Sequence, residues 1–161
     1  MELKGQYIFD ASVAHVWERL MDPATIAACI PGCQRFEPIG DDQYQVVLKA
    51  GVAAVSGSFE GTVSIADKQP ESSYALVVNG RGAPGFVQGK TTIALANRDS
   101  RVVVDVAGNV TVGGLIAQVG QRLLGVTARM MMDKFFKCLQ TKITPEAAPP
   151  ADLLESPNEN R

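Results

Sequence analysis

Apolar positions recur every three or four residues along residues 113–143, near the C-terminal end of the chain. One row of such positions is Leu115, Val119, Leu123, Val126 and Met130, and a second row, Ile116, Leu124, Met131, Phe135 and Leu139, widens it. Charged and amide side chains fall mostly between these rows, so the segment is amphipathic and carries too much charge to span a bilayer. The pattern predicts one long helix that lies across an apolar surface.

The first thirty residues predict a strand followed by two short helices. Residues 2–10 alternate between apolar and polar types, which is typical of a half-buried strand. Ser12 is a suitable N-cap for a helix over 13–21. Asp22 followed by proline then predicts the start of a second helix, through residues 24–29.

The next eighty residues have the two-residue alternation of strands, interrupted by turn-forming residues. The last segment places Val102, Val104 and Val106 on one face. Connections this short require antiparallel pairing, because parallel neighbours need a longer crossover. The predicted strands span residues 34–39, 43–54, 58–67, 73–80, 86–96 and 101–111, with turns at 40–42, 55–57, 68–72, 81–85 and 97–100.

Together these elements predict an α+β domain over residues 1–143. A seven-stranded antiparallel sheet curves around the long C-terminal helix, and two short helices follow strand 1. A straight helix cannot contact a curved sheet everywhere, so an apolar cavity is expected between them. Residues 144–161 are proline-rich and acidic with few bulky apolar side chains, which predicts a disordered tail.

Net charge, the N-terminal pattern and the cysteine count limit the partners and the cellular location that we expect. A net charge of −2 and a pI near 5.4 give no basic face for nucleic acid. The N-terminus lacks the pattern of a signal peptide, so a cytoplasmic protein is expected, with peripheral contact at the inner face of the membrane as an option. The three cysteines are then expected to be reduced thiols rather than a disulfide framework.

The residues that resemble cofactor-binding, metal-binding or catalytic motifs lack the neighbouring elements or partner residues that such sites need. Gly80, Gly82 and Gly85 have the spacing of a dinucleotide-binding loop, but the chain continues as strand where such a loop must open a helix. Cys29 and Cys33 are too few for a zinc site. The single histidine, His15, belongs to the first turn of a helix outside the expected cavity. No cofactor, metal or catalytic group is therefore predicted.

The methionine run Met130–Met132 and the adjacent Phe135 and Phe136 allow two interpretations. They either fill the core or line a pocket with flexible, polarizable side chains that adapt to an apolar ligand. Gly120 would leave room for such a ligand. The residues predicted to line the cavity are Trp17, Phe59, Val63, Tyr74, Leu76, Phe86, Val104, Val119, Gly120, Leu123, Met130 and Met131.

Several local patterns resemble one known family. They are the run from Phe9 to Pro23 with Val16-Trp17 and Leu20–Pro23, the corner Ile30–Cys33, and the stretch from Gly113 through Gly120–Leu124 to Phe135-Phe136. In these residues the chain is similar to the carbon monoxide dehydrogenase G-subunit family, of the START-like (helix-grip) superfamily. The resemblance covers residues 1–143 and implies a helix-grip fold.

The resemblance also implies a function. It suggests a non-catalytic accessory protein of a molybdenum hydroxylase of carbon monoxide dehydrogenase type, concerned with its recruitment or maturation, that binds a quinone- or lipid-like molecule. The alternative is an enzyme of polyketide cyclase or hydrolase type, which would need inward-facing polar groups, with Tyr44, Tyr74 and Gln88 as candidates. A third option is a protein-binding adaptor, which a cavity below about 300 Å³ would favour.

Overall fold

The computed structural model describes residues 1–52 and 55–147 and has the predicted architecture. Its seven strands form one antiparallel sheet in the order β1-β7-β6-β5-β4-β3-β2. The strands are β1 (Glu2–Phe9), β2 (Cys33–Gly40), β3 (Gln43–Val52), β4 (Val55–Gln69), β5 (Ser73–Gly82), β6 (Gly85–Arg98) and β7 (Arg101–Gly113). The helices are α1 (Val13–Leu20), α2 (Pro23–Cys29) and α3 (Gln121–Ala147).

The main core lies where the C-terminal half of α3 meets the sheet. Phe9, Val102 and Val104 project from the paired strands β1 and β7, and they are almost completely buried. Leu139 and Ile143 of α3 cover them, and Val16 and Leu20 of α1 close the same cluster. Alternation along β1 and β7 is thus confirmed as the pattern that faces the core.

Polar side chains of α3 hold it along the edge strand β1. The Arg129 guanidinium donates a hydrogen bond to the Lys4 carbonyl (3.1 Å), and the Gln140 amide donates one to the Ile8 carbonyl (2.8 Å). The Tyr7 hydroxyl donates a hydrogen bond to the Asp133 carboxylate (2.7 Å). Because β1 is an edge of the sheet, these contacts also cover backbone groups that would otherwise be open to another strand.

The predicted N-cap of α1 is confirmed. The Ser12 hydroxyl accepts a hydrogen bond from the His15 backbone N–H (3.2 Å), and Ser12 itself has extended backbone angles. The second short helix begins at Pro23, as the Asp22-Pro23 pair predicts.

Ser12→Ala should lower the free energy of unfolding by about 1 kcal/mol, because the His15 N–H loses its side-chain acceptor. Urea denaturation followed by circular dichroism measures the change, and Ser12→Asn, which keeps an acceptor, serves as control. Equal stability of the alanine and asparagine variants would show that the cap contributes nothing.

The long helix starts later than the sequence predicts. Residues up to Gly113 belong to β7, a 3₁₀ turn spans Leu115–Val119, and α3 begins only at Gln121. Gly114 (φ +82°) and Gly120 (φ +97°) have left-handed backbone angles that interrupt a helix on both sides of the turn. The apolar periodicity continues through this break, which is why the pattern alone did not reveal it.

The face of α3 that meets the sheet is also different from the first predicted row. Leu123 and Met130 are 47% and 38% exposed, whereas Leu124 and Leu139 of the second row are 8% and 0% exposed. Both rows are apolar enough to be buried. The sheet therefore determines the rotation of α3 about its axis, and periodicity does not.

Boundaries elsewhere shift by a few residues. Residues 55–57, a predicted turn, belong to β4, and the predicted turn at 81–85 shortens to Ala83-Pro84 because β5 and β6 pair up to Gly82 and Gly85. Helix α3 continues to Ala147, beyond the predicted domain end at 143. The rest of the predicted tail, 148–161, lies outside the described residues.

The expectation that all cysteines are reduced is wrong. Cys29 of α2 and Cys138 of α3 form a disulfide, with their Cα atoms 5.4 Å apart, and Cys33 is free. These two cysteines are 109 residues apart in sequence. Only the packing of α2 on α3 brings them together, so the pairing could not be read from spacing.

Candidate functional site

The candidate site is an apolar cavity between the concave face of the sheet and α3. It has two adjoining compartments of about 320 and 300 Å³. Six residues border both compartments and mark their junction: Leu3, Val63, Val78, Thr91, Ala128 and Met131. Each compartment alone reaches the lower end of the usual size of ligand pockets.

The first compartment, here called the aliphatic compartment, lies under the start of α3. Its apolar lining is Met1, Leu3, Val46, Leu48, Phe59, Val63, Val78, Val87, Val110, Val112, Ile116, Leu124, Ala128 and Met131. The Thr127 hydroxyl, which also borders it, donates a hydrogen bond to the Leu123 carbonyl (3.0 Å) within the helix. The interior is consequently suited to hydrocarbon rather than to charged groups.

Glycines on the concave face leave room for this compartment. Gly61, Gly80 and Gly89 line it at positions where the alternation would otherwise place an inward side chain. A Cβ at Gly89 would lie 2.6 Å from the carbonyl oxygen of Asn109 on the neighbouring strand. Glycine is therefore needed there for the close approach of the strands, and the cavity gains the space of the absent side chain.

The second compartment, here called the aromatic compartment, lies under the middle of α3 and is closed by α1 and α2. Leu20, Ile26 and Ile30 form its helical side. The rings of Phe36 and Tyr44 are stacked with centroids 4.6 Å apart. Its aromatic lining is Phe36, Tyr44, Tyr74, Phe135 and Phe136.

Tyr74 is the most buried polar side chain of the aromatic compartment. It is 4% exposed, and Trp17 packs edge-on against its ring with centroids 5.6 Å apart. Its hydroxyl makes no hydrogen bond to any residue within the described ranges. Burial raises the pKa of Tyr74 far above its ordinary value, so the hydroxyl stays protonated and remains a donor.

Tyr7 is a second tyrosine with a raised pKa, at the edge of the sheet. Burial is the main cause, and the hydrogen bond to the negatively charged Asp133 adds to it, against a smaller opposing effect of Arg129. Both tyrosines therefore bind their phenolic proton more tightly in the folded protein than in the unfolded chain.

This difference predicts a loss of stability at alkaline pH. Both tyrosines have raised pKa values in the folded protein, so their contribution to the free energy of unfolding is fully present below the unfolded tyrosine pKa of about 10. Above that pH the unfolded chain loses these protons first, and the contribution is lost. Urea denaturation at pH 8, 10 and 11 measures the trend. The double variant Tyr7→Phe/Tyr74→Phe should have a shallower decline, and an unchanged decline would contradict the assignment to these two residues.

Five of the twelve predicted cavity residues lie on the cavity wall. They are Phe59, Val63, Tyr74, Leu76 and Met131. Trp17 stands behind Tyr74, and Val104 is completely buried in the core between sheet and helix. Alternation identified the inward faces of β4, β5 and β7 correctly, but Phe86 was predicted to line the cavity although the inward residues of β6 are Val87, Gly89, Thr91 and Ile93. Alternation also could not separate wall positions from core positions.

The other predicted positions near the start of the helix are placed differently. Leu123 and Met130 are exposed, so assigning them to the cavity is wrong. A side chain at Gly120 would find no atom within 4 Å, so that glycine borders open space and not the cavity. Val119 packs at the edge of the cluster formed by Ile116 and Leu124. Phe86 is half-buried with its ring against Gly113. Neither Val119 nor Phe86 belongs to the wall.

Several wall residues had no distinct sequence signal. Ala128 borders both compartments, and its position one turn from Leu124 and Met131 would have indicated it once the buried face of α3 was known. Thr91 follows from the alternation of β6, because it lies two residues before buried Ile93. Of the polar candidates for catalysis, Tyr44 and Tyr74 line the aromatic compartment, whereas Gln88 is exposed.

Groups for other chemistry are not assembled in the part of the chain that the structure describes. Among those residues, no three His, Cys, Asp or Glu side chains come close enough together to hold a metal ion. None of the described helices combines the length and the apolar composition that crossing a membrane requires.

Comparisons with known proteins agree on the fold. A conserved protein from Geobacillus kaustophilus is 36% identical, with a TM-score of 0.88 over 92% of this chain and 98% of that one. A START superfamily protein from Mycobacterium smegmatis has a TM-score of 0.72 at 10% identity, covering 90% of this chain and 98% of its own. The Zhui aromatase/cyclase from Streptomyces sp. R1128 has a TM-score of 0.71 at 11% identity, covering 95% and 99%.

The last two similarities show the fold alone, a START-like helix-grip domain, because so few of their residues are identical. A search of curated protein sequences found no match. A sequence model of the family described as the G subunit of carbon monoxide dehydrogenase (CoxG) matches residues 5–144. With the expected fold present and this match covering nearly the whole described domain, the chain belongs to the carbon monoxide dehydrogenase G-subunit (CoxG) family.

Proposed function

We propose that this protein is a non-catalytic carrier that holds a quinone- or lipid-like molecule in its cavity. The observation that carries the proposal is the pair of adjoining apolar compartments, about 320 and 300 Å³, between sheet and helix. A well-packed core has few voids larger than a water molecule, so a hollow of this size in a chain of 161 residues requires a reason. An apolar guest supplies one.

The energetics favour a guest with a long hydrocarbon part. Each buried methylene contributes about 0.8 kcal/mol, so ten of them contribute about 8 kcal/mol. The loss of translational and rotational freedom on association costs about 4 to 15 kcal/mol. Short apolar molecules should therefore bind weakly, and chains of several isoprenoid units or a fatty acyl chain should bind well.

The proposed partner is a molybdenum hydroxylase of carbon monoxide dehydrogenase type, which the carrier would serve in recruitment or maturation. Membership of the CoxG family supports this association. We place the carrier in the cytoplasm, with peripheral contact at the inner membrane face where an apolar molecule could be exchanged. Genes for the large, medium and small subunits of such an enzyme beside this one would support the partner.

Native mass spectrometry of gently purified protein tests the carrier proposal. A bound adduct of lipid size is expected, and added quinone should quench the fluorescence of the single tryptophan, Trp17, because its ring packs on the cavity residue Tyr74. Protein that is consistently free of ligand and shows no quenching with decylubiquinone would refute the proposal.

The second candidate is an enzyme of polyketide cyclase or hydrolase type. The observation in its favour is that Tyr44 and Tyr74 line the same compartment. General acid-base chemistry would need these hydroxyls to exchange protons near neutral pH, and burial shifts the pKa of Tyr74 away from that range. Incubation with a short β-keto thioester separates the two candidates, since the carrier returns it unchanged and the enzyme yields a cyclised or hydrolysed product.

A further inference from the structure

We propose that the Tyr74 hydroxyl donates a hydrogen bond to a ring carbonyl oxygen of the bound molecule, so that the cavity selects ligands with a flat, carbonyl-bearing head and an aliphatic tail. The head would occupy the aromatic compartment and the tail the aliphatic compartment. This inference rests on the proposed carrier function and adds the orientation and the recognised group.

The two compartments differ in the shape of molecule they suit. Five of the lining side chains of the aromatic compartment carry rings, whereas Phe59 supplies the one ring among the apolar lining of the aliphatic compartment. Aromatic rings pack favourably against the face or edge of another ring, and branched aliphatic side chains pack equally well around a flexible chain. A molecule that joins a ring to a hydrocarbon chain therefore matches the cavity in one direction only.

The head needs a hydrogen-bond acceptor because of Tyr74. The Tyr74 residue is 4% exposed, and its hydroxyl makes no hydrogen bond to the described residues, so it can donate one to a molecule in the compartment that Tyr74 lines. Since the hydroxyl keeps its proton over the physiological range, it acts as a donor. A carbonyl oxygen on the guest would satisfy it, which a saturated or purely hydrocarbon ring cannot do.

Tyr74 is also held in a fixed position. It lies on β5 directly opposite Ile93 of β6, and the edge-on ring of Trp17, with centroids 5.6 Å apart and planes at 87°, restricts its rotation. A donor held in place before the ligand arrives loses little conformational entropy on binding, so its hydrogen bond contributes to selectivity.

Other polar groups on the wall are less suited to this role. The Thr127 hydroxyl is already hydrogen-bonded to the Leu123 carbonyl. Thr91 is half-buried and lies at the junction of the two compartments rather than within the aromatic one alone. Tyr44 is only half-buried and stacks on Phe36 of the outer strand β2. Tyr7 borders neither compartment, so Tyr7→Phe removes a phenolic hydroxyl outside the cavity and is the control for Tyr74→Phe.

The test compares two probes of nearly the same shape, menadione and 2-methylnaphthalene, which differ by the two ring carbonyls. Tyr74→Phe removes only the hydroxyl. We expect it to weaken menadione binding about tenfold, as the loss of one hydrogen bond predicts, and to change 2-methylnaphthalene binding less than about twofold. Tyr7→Phe, which removes a hydroxyl outside the cavity, should leave both affinities within about twofold of the unmodified protein. Calorimetric titration of each variant with each probe measures these affinities.

Infrared spectroscopy gives a readout that a merely structural role would not change. One carbonyl stretching band of bound menadione should move to lower wavenumber in the unmodified protein and in Tyr7→Phe, and should lose this shift in Tyr74→Phe. Thermal melting of each variant verifies that it is folded.

The outcomes separate the two proposals. Equal menadione affinity and an unchanged carbonyl band in Tyr74→Phe would overturn the hydrogen bond and leave the carrier function standing. An equal loss in Tyr7→Phe would also overturn it, because that hydroxyl lies outside the cavity. Failure of both menadione and decylubiquinone to bind the unmodified protein would overturn the carrier function, and the inference with it.

Discussion

Ala128→Phe is expected to weaken binding of decylubiquinone by about 10- to 100-fold while the domain stays folded. Ala128 borders both compartments from the inner face of α3, so a phenyl group there would occupy their junction. A ligand that extends through both compartments would have to displace this ring or distort the packing around it. Forced overpacking of this kind costs about 1 to 3 kcal/mol.

Stability should move in the opposite direction from binding. The phenyl group fills space that is empty without ligand and gains contacts with the surrounding aliphatic side chains, so the melting temperature should stay the same or rise. Val126→Phe is the matched control, because Val126 lies two residues earlier on the same helix and is exposed. Unchanged binding by Ala128→Phe would mean that ligands bind outside this cavity.

Reduction of the disulfide between Cys29 and Cys138 should lower the free energy of unfolding by about 3 kcal/mol and the melting temperature by about 6 to 12 °C. The bond closes a loop of 109 residues, and cross-linking residues so far apart removes much conformational freedom from the unfolded chain. It also joins α2 to α3, and both helices contribute residues to the wall of the aromatic compartment. Thermal melts with and without reductant, together with the variant Cys138→Ser, measure the loss.

Cys33→Ser is the control for the disulfide, because Cys33 is the free cysteine and its thiol is not part of the cross-link. Burial raises the pKa of the Cys33 thiol, only partly offset by its hydrogen bond with the Arg35 backbone, so this thiol is a weak nucleophile in the folded protein. In denaturant without reductant, one of the three cysteines should react with a thiol reagent, and after reduction all three should react. Reaction of all three before reduction would contradict the disulfide.

The sequence predicted correctly those features that residues close together in the chain determine. Alternation and short turns give the antiparallel strands, and the Ser12 cap and Pro23 give the helix starts. The inward faces of β4 and β5 follow in the same way, which is why Phe59, Val63, Tyr74 and Leu76 could be placed on the cavity side from alternation alone.

The sequence was misleading on α3, which carries apolar residues on two faces. Leu123 and Met130 fit the periodic pattern as well as Leu124 and Met131 do, yet only the second pair faces the sheet. Nothing in the sequence distinguishes Gly114 and Gly120 from other glycines. Only their left-handed backbone angles show that the regular structure is interrupted before the helix begins. Periodicity shows that a face is apolar but not which of two apolar faces a partner will cover.

By itself, then, the sequence determined the order of elements, the antiparallel pairing and the existence of a curved sheet under one long helix, because these depend on turns, caps and alternation within a few residues. The tertiary structure alone decided the rotation of α3, the pairing of Cys29 with Cys138 and the hollow that Tyr74 faces without a hydrogen-bond partner among the described residues. Each of these depends on atoms brought together from distant parts of the chain, and whether such contacts fill the space or leave it empty is a property of the packing as a whole.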